Sequence, residues 1–285
     1  ANPSVSAAAW AERLGGPAPR LILGSSLMLF LELALIRWLG ANIVHLSYFT
    51  NFVLLGSFLG VGLGFLISRH SWSVLPSTPV LLAVLVVVVR LVPVSVDRSN
   101  ADVIYFTALH TSGPPAWLVL PLVFLLSAAI LAGPGEVVGR CFAEMQSLTA
   151  YRWDLVGSLV GFTLFSVLSF LWAPSYVWGT IVTLVFLLLL EGKARVLAGL
   201  AGAAMVVALV MESVAPGVSW SPYYKITTRA VHGDPLGTRT YISVNGVPHQ
   251  SMSSAQWKLT RASAIYAAPY ARRGDAPLRD VLVVG

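Results

Sequence analysis

Glu32, Arg37 and Arg90 are ionisable residues set inside apolar runs. Glu32 is the twelfth residue of the run 21–40, Arg37 lies five residues further on, and Arg90 directly follows the four valines 86–89. A charge held near the middle of a bilayer costs a few kcal/mol unless it is paired. Such residues therefore mark a buried ion pair or a polar route for substrate or ions. Glu32 and Arg90 have opposite signs, so a contact across helices would neutralise both. The other readings are a protonated Glu32 hydrogen-bonded to Ser25 or Ser26, and a pathway lined by these side chains. Arg37 stands near the end of its run, where a long side chain can snorkel to the surface.

Further along, Glu136, Arg140 and Glu144 recur every four residues, which puts them on one face of a short amphipathic helix where they can pair. Asp154 precedes the apolar run 155–172, where a carboxylate favours the positive end of the helix dipole. The five histidines, at 45, 70, 110, 232 and 249, lack metal-ligand spacing. Cys141 is the single cysteine, which excludes a disulfide framework and any Cys-based metal site supplied by this chain alone. No Ser–His–Asp arrangement, phosphate-binding loop or nucleic-acid motif is legible, so metal and nucleic acid are not expected as partners.

The elements that must carry these residues follow from composition. Of 285 residues only 11% are charged and 56% are hydrophobic, with a mean hydropathy of +0.79. Soluble domains carry about 25% charged residues, so the chain reads as an integral membrane protein with the lipid bilayer as its first partner. About seven spans are expected, with eight as the alternative: 21–40, 46–68, 74–96, 116–132, 155–172, 175–190 and 196–211. An eighth would come from 137–150, or a re-entrant piece from 101–109. In the second span Gly56, Gly60 and Gly64 form a small-residue row suited to close helix packing, within the chain or against a second copy or another subunit. Basic residues gather in the N-terminal segment and alternate loops, which favours an inside N-terminus.

Charge also sets the domain boundaries. Residues 1–215 contain ten Lys or Arg and nine Asp or Glu, whereas 216–285 contain eight and three. The expected organisation is an N-terminal segment 1–19, a helical bundle 20–215 and a basic, β-rich module 216–285. Residues 224–230 and 238–244 alternate with β-branched side chains, and Asn245-Gly246 is a hairpin signal. Residues 257–270 have helical periodicity. The run Asp280, Val281, Leu282, Val283, Val284, Gly285 reads as a buried parallel strand.

Three pieces of this module carry a resemblance. They are Ser221-Pro222-Tyr223-Tyr224-Lys225-Ile226, the hairpin Ile242-Ser243-Val244-Asn245-Gly246 ending at Gln250, and Tyr266-Ala267-Ala268-Pro269 followed by 280–285. Together they are similar to the spermidine synthase-like (aminopropyltransferase) family in its membrane-fused bacterial branch. The resemblance implies an integral protein of the bacterial inner membrane whose sheet module leads into the first strand of a Rossmann-like α/β domain. It implies S-adenosylmethionine or its decarboxylated form as cofactor, with Gln250, Tyr266 and Gly285 near the nucleoside, and places the family's glycine-rich loop and catalytic Asp beyond Gly285. The chain departs from the pattern at Tyr224, where a Gln is usual, and at Asn245, where an Asp is usual. It also lacks the acidic pair ahead of the helix tyrosine, which weakens a polyamine acceptor. A transporter with Glu32 and Arg90 on its path, and a structural subunit of a larger membrane complex, are the competing readings.

Overall fold

The computed structural model describes residues 16–49, 51–92, 95–97, 110–261 and 268. Its helices are α1 (Pro17–Asn42), α2 (Val44–Tyr48), α3 (Asn51–Ile67), α4 (Thr78–Leu91, entered through a 3-10 turn Leu75–Ser77), α5 (Ala116–Glu144), α6 (Ser147–Phe170), α7 (Ser175–Leu189), α8 (Gly192–Ser213) and α9 (Ala255–Arg261). Four of them, α1, α5, α6 and α8, are long and apolar enough to cross a membrane; α3, α4 with its leading turn, and α7 are shorter apolar helices.

Helix α1 is the most buried of the four and packs on α5, α6 and α7. Helix α3 lies along α5, while α8 joins α4 and α7. The outer face of α6 is apolar, with Leu155, Leu159, Phe162 and Val167 exposed. Water would not tolerate a face of this extent, whereas hydrocarbon would.

Glycines set the closest approaches. A Cβ on Gly60 would strike the backbone of Ala128, and one on Gly64 the backbone of Ala132 and Gly135. The row in α3 therefore packs within the chain, against α5. A second row, Gly157 and Gly161 of α6, lies against Ile22, Ser25 and Ser26 of α1.

Several expected boundaries move. Residues 133–135 (Gly-Pro-Gly) do not break the chain: α5 runs through them to Glu144. Proline removes one N–H and frees one carbonyl, a loss that packed membrane helices absorb. No separate span forms over 137–150, because 137–144 completes α5 and Ser147 opens α6. Asp154 thus lies two turns inside α6 rather than at its start, and 151–157 is helical. Helix α4 stops at Leu91 instead of 96, consistent with Pro93 two residues later. Residues 95–97 instead form β1, antiparallel to β2 (His110–Ser112), a ribbon the sequence pattern did not suggest. The re-entrant candidate 101–109 lies outside the described residues.

The module is a four-stranded antiparallel meander of β3 (Val218–Trp220), β4 (Lys225–Val231), β5 (Arg239–Val244) and β6 (Val247–Met252). Val244 pairs with Val247 across the Asn245-Gly246 turn. Both turn residues have positive φ, 50° and 76°, as a two-residue hairpin of this type demands. Helix α9 begins the helical stretch expected from 257; apart from 268, its continuation and the strand 280–285 lie outside the described residues.

Candidate functional site

The bundle meets the sheet through a buried polar junction. Glu212, in the last turn of α8 and 1% exposed, is its centre. Its carboxylate accepts from the Lys225 ammonium of β4, from Trp38 Nε1 of α1 at 2.8 Å and from Ser175 Oγ of α7 at 3.2 Å. Lys225 Nζ also donates to Asn42 Oδ1 at 2.7 Å. Four elements thus converge on one ion pair. Burial pulls Lys225 below the usual lysine value; the Glu212 carboxylate raises it in part, and the Arg90 guanidinium lowers it further.

Beside this pair, Arg37 reaches across from α1. It donates to Ser169 Oγ near the end of α6 and to the carbonyl of Ser221, the latter at 2.5 Å. Its guanidinium carbon lies 4.7 Å from the Trp178 ring centre and 5.6 Å from that of Trp220, whose rings meet edge-on. A half-buried cation over two indoles gains about 1–2 kcal/mol. The same residues 221–224 close a turn on themselves: Ser221 Oγ accepts from the Tyr224 amide at 2.9 Å, and the Ser221 amide donates to the Tyr224 carbonyl at 2.8 Å. The start of the 221–226 segment is therefore a tight turn leading into β4, pinned by Arg37. On the neighbouring hairpin, Asn245 Oδ1 accepts from the Lys225 amide at 2.9 Å, and Gly246 packs against Val44 of α2.

Comparison with known protein families, characterised proteins and solved structures yields no match. The chemistry of the site is accordingly read from its own geometry.

Glu32 and Arg90 do not form the expected pair. Glu32 is buried in α1 and its Oε1 has no hydrogen-bond partner. Arg90 is in the last turn of α4, near Lys225. Ten residues separate Glu32 from the sheet end of α1, about 15 Å at 1.5 Å per residue, so the two charges sit at different depths. Ser25 and Ser26 are also engaged elsewhere, with Asp154 Oδ1 at 2.5 Å and the Gly157 carbonyl at 2.8 Å. Both bonds tie α1 to α6. A cavity of about 40 Å³ lies between α1, α4, α7 and α8, walled by Leu31, Leu35, Leu82, Val182 and Leu209 among others. It is apolar and includes neither Glu32 nor Arg90.

Glu136 and Arg140 pair at 2.8 Å as their spacing suggested, but Glu144 is exposed and stays apart. The pair has a further use. Glu136 Oε2 accepts the amides of Val74 and Leu75, capping the turn that opens α4, and Arg140 Nη2 donates to the carbonyls of His70 and Trp72. One acid and one base on α5 thereby hold both polarities of the 70–75 backbone.

Gln250 is exposed on β6, opposite Ile242. Tyr266 and Gly285 lie outside the described residues. Glu212, Trp38, Trp178, Trp220 and Lys225 were not singled out by sequence. The available signal was an acid one residue past an apolar run, paired with a lysine that opens the second strand of the module.

At the far end of the sheet, Asp234 Oδ1 accepts the Leu236 amide at 3.0 Å, and Oδ2 accepts Trp257 Nε1 at 3.0 Å, with Arg261 at 3.5 Å. Arg239 stacks 4.5 Å from the Trp257 ring centre. These contacts fasten α9 to the β4–β5 loop. The Leu236 amide, then Trp257 and the two arginines, hold the Asp234 carboxyl below its usual value. A depressed carboxylate contributes stability above its unfolded value, about 3.9, and loses it as pH falls through the folded one. Wild type should therefore melt above Asp234→Asn at pH 6, and the gap should narrow as pH falls below about 3.9. Scanning fluorimetry across that range checks this; a gap independent of pH would count against the assignment.

Proposed function

We propose that this chain is the membrane-anchored part of an aminopropyltransferase-like enzyme using S-adenosylmethionine or its decarboxylated form, held in a bacterial inner membrane by a bundle of about seven spans. One observation carries the reading. A four-stranded antiparallel sheet, closed by the Asn245-Gly246 hairpin and followed by a helix, occurs in the order that the resemblance requires ahead of a Rossmann-like domain. The junction adds to it, because Arg37 and the Glu212–Lys225 pair fix the module against the bundle rather than leaving it on a tether. A route for ions has less support: the cavity between the helices is apolar, and Glu32 and Arg90 lie apart.

Among the described residues, Gln250 offers one exposed amide to a ligand and no enclosed nucleoside pocket surrounds it. The test is binding. Protein purified in lipid nanodiscs should retain radiolabelled S-adenosylmethionine or the decarboxylated form in equilibrium dialysis, and Gln250→Ala should weaken retention about tenfold, the equivalent of 1.4 kcal/mol. Retention of neither donor overturns the proposal and leaves the structural-subunit reading, which stoichiometric copurification with other membrane proteins would support.

A further inference from the structure

The turn that opens the sheet module carries two exposed aromatics, Tyr223 at 67% and Tyr224 at 52%. Full solvation of two adjacent phenol rings gains nothing for a soluble surface, and their surroundings are not those of one. Tyr223 meets Phe170 edge-on at 6.2 Å between ring centres. Phe170 is the last residue of α6, the helix whose outer face is bare hydrocarbon-type side chain, and Leu171 and Trp172 beyond it are also exposed. The aromatic pair thus continues, without a gap, the apolar flank of the bundle.

The position of the turn is set from inside. Arg37 holds the Ser221 carbonyl and Ser169 together, so the turn is fixed at the level of the α6 C-terminus. Tyr and Trp concentrate where hydrocarbon gives way to headgroups, with the ring in the apolar layer and the polar edge in the wet one. The opposite end of the module has the reverse character. His232 is exposed on the β4–β5 loop, which also carries Asp234, the partner of Arg261. It lies seven residues beyond Lys225 along β4, about 23 Å at a strand's rise per residue.

We infer that the 221–224 turn is a membrane-docking surface, with Tyr223 and Tyr224 seated in the lipid headgroup layer, so that the module stands on the bilayer by this edge. The inference rests on the bundle being membrane-embedded, and the experiment separates the two claims. Single nitroxide labels are placed at Tyr223→Cys, His232→Cys and Leu159→Cys in nanodiscs of mixed phosphatidylcholine and phosphatidylglycerol. Cys141 is fully buried and stays in place. Power-saturation EPR then compares collision with oxygen against collision with a water-soluble nickel chelate.

The oxygen-to-nickel ratio should be highest at 159. It should be about tenfold higher at 223 than at 232, since a polar chelate is excluded where water is excluded. A ratio at 223 equal to that at 232, with 159 still protected, removes the docking surface and leaves the membrane bundle intact. A nickel-accessible label at 159 removes the bundle's membrane placement itself. Tyr224→Cys repeats the measurement from the neighbouring ring. Agreement of 223 and 224 supports the inference, and water-like values at both overturn it.

Discussion

Glu212→Ala should release the sheet from the bundle and lower stability by about 3–5 kcal/mol, the cost of leaving one charge of a buried pair without its partner. That is a large share of the roughly 5–15 kcal/mol by which most domains are stable. The effect should exceed that of an ordinary hydrogen bond because three groups lose this carboxylate together: the Lys225 ammonium, which keeps only Asn42, the Trp38 indole and the Ser175 hydroxyl. Thermal unfolding in nanodiscs reads the loss, and faster trypsin cleavage within the module reads the detachment. The variant should also respond to pH more steeply than wild type, in which Glu212 offsets part of the depression of Lys225. Burial still lowers Lys225, but the Glu212 attraction that raised it is gone. A lysine with a depressed folded value binds fewer protons folded than unfolded, so stability should rise as pH climbs towards the lysine range. The double replacement Glu212→Leu with Lys225→Met should recover most of the loss, as apolar substitutes for buried pairs often do. If Glu212→Ala melts with wild type, the junction holds nothing.

Gly60→Leu should be the most damaging substitution in the bundle. A Cβ there falls onto the carbonyl and Cα of Ala128 in α5, backbone atoms that cannot rotate away. Helix α3 must then move off α5 along its length, and overpacking of this kind costs about 3 kcal/mol or more. Gly62, two residues on, has nothing within 4 Å of where its Cβ would be. Gly62→Leu should therefore stay within about 0.5 kcal/mol, as substitutions remote from packed contacts do. Yield of monodisperse protein and melting temperature together test the pair. Equal behaviour of the two variants would mean that the glycine row is not what brings α3 and α5 together.

Much of this was legible in the amino-acid order, where the signal was local. The apolar runs mark the helices, the four-residue spacing of Gly56, Gly60 and Gly64 marks a packing face, and Asn245-Gly246 marks the hairpin, because each depends on neighbours within a turn or two. Glu136 and Arg140 pair for the same reason. The junction was not legible. Glu212 and Lys225 are 13 residues apart and belong to a helix and a strand, while Trp38, Asn42 and Ser175 come from other elements. No periodicity links them, since their proximity is decided by how the sheet seats on the bundle. Arg37 illustrates the same limit. Its place near a helix end suggested a side chain snorkelling to water, whereas it turns to two indoles and a carbonyl. The Glu32–Arg90 pairing failed because sign and hydrophobic context say nothing about depth.

The unequal helix lengths have a consequence for the lipid. Helices α4 and α7, of 14 and 15 residues, rise only about 21 and 22 Å, against roughly 30 Å of hydrocarbon in an ordinary bilayer. Both pack on α8, so the two shortest apolar helices share one flank, while α5, at 29 residues, reaches about 44 Å elsewhere. Where α4 and α7 cross a bilayer, the surrounding leaflets would have to pinch on that flank, at a cost of fractions of a kcal/mol per ångström of mismatch. Such a protein is worn most easily by a thin membrane, and short-chain lipids should collect around its α4–α7 side.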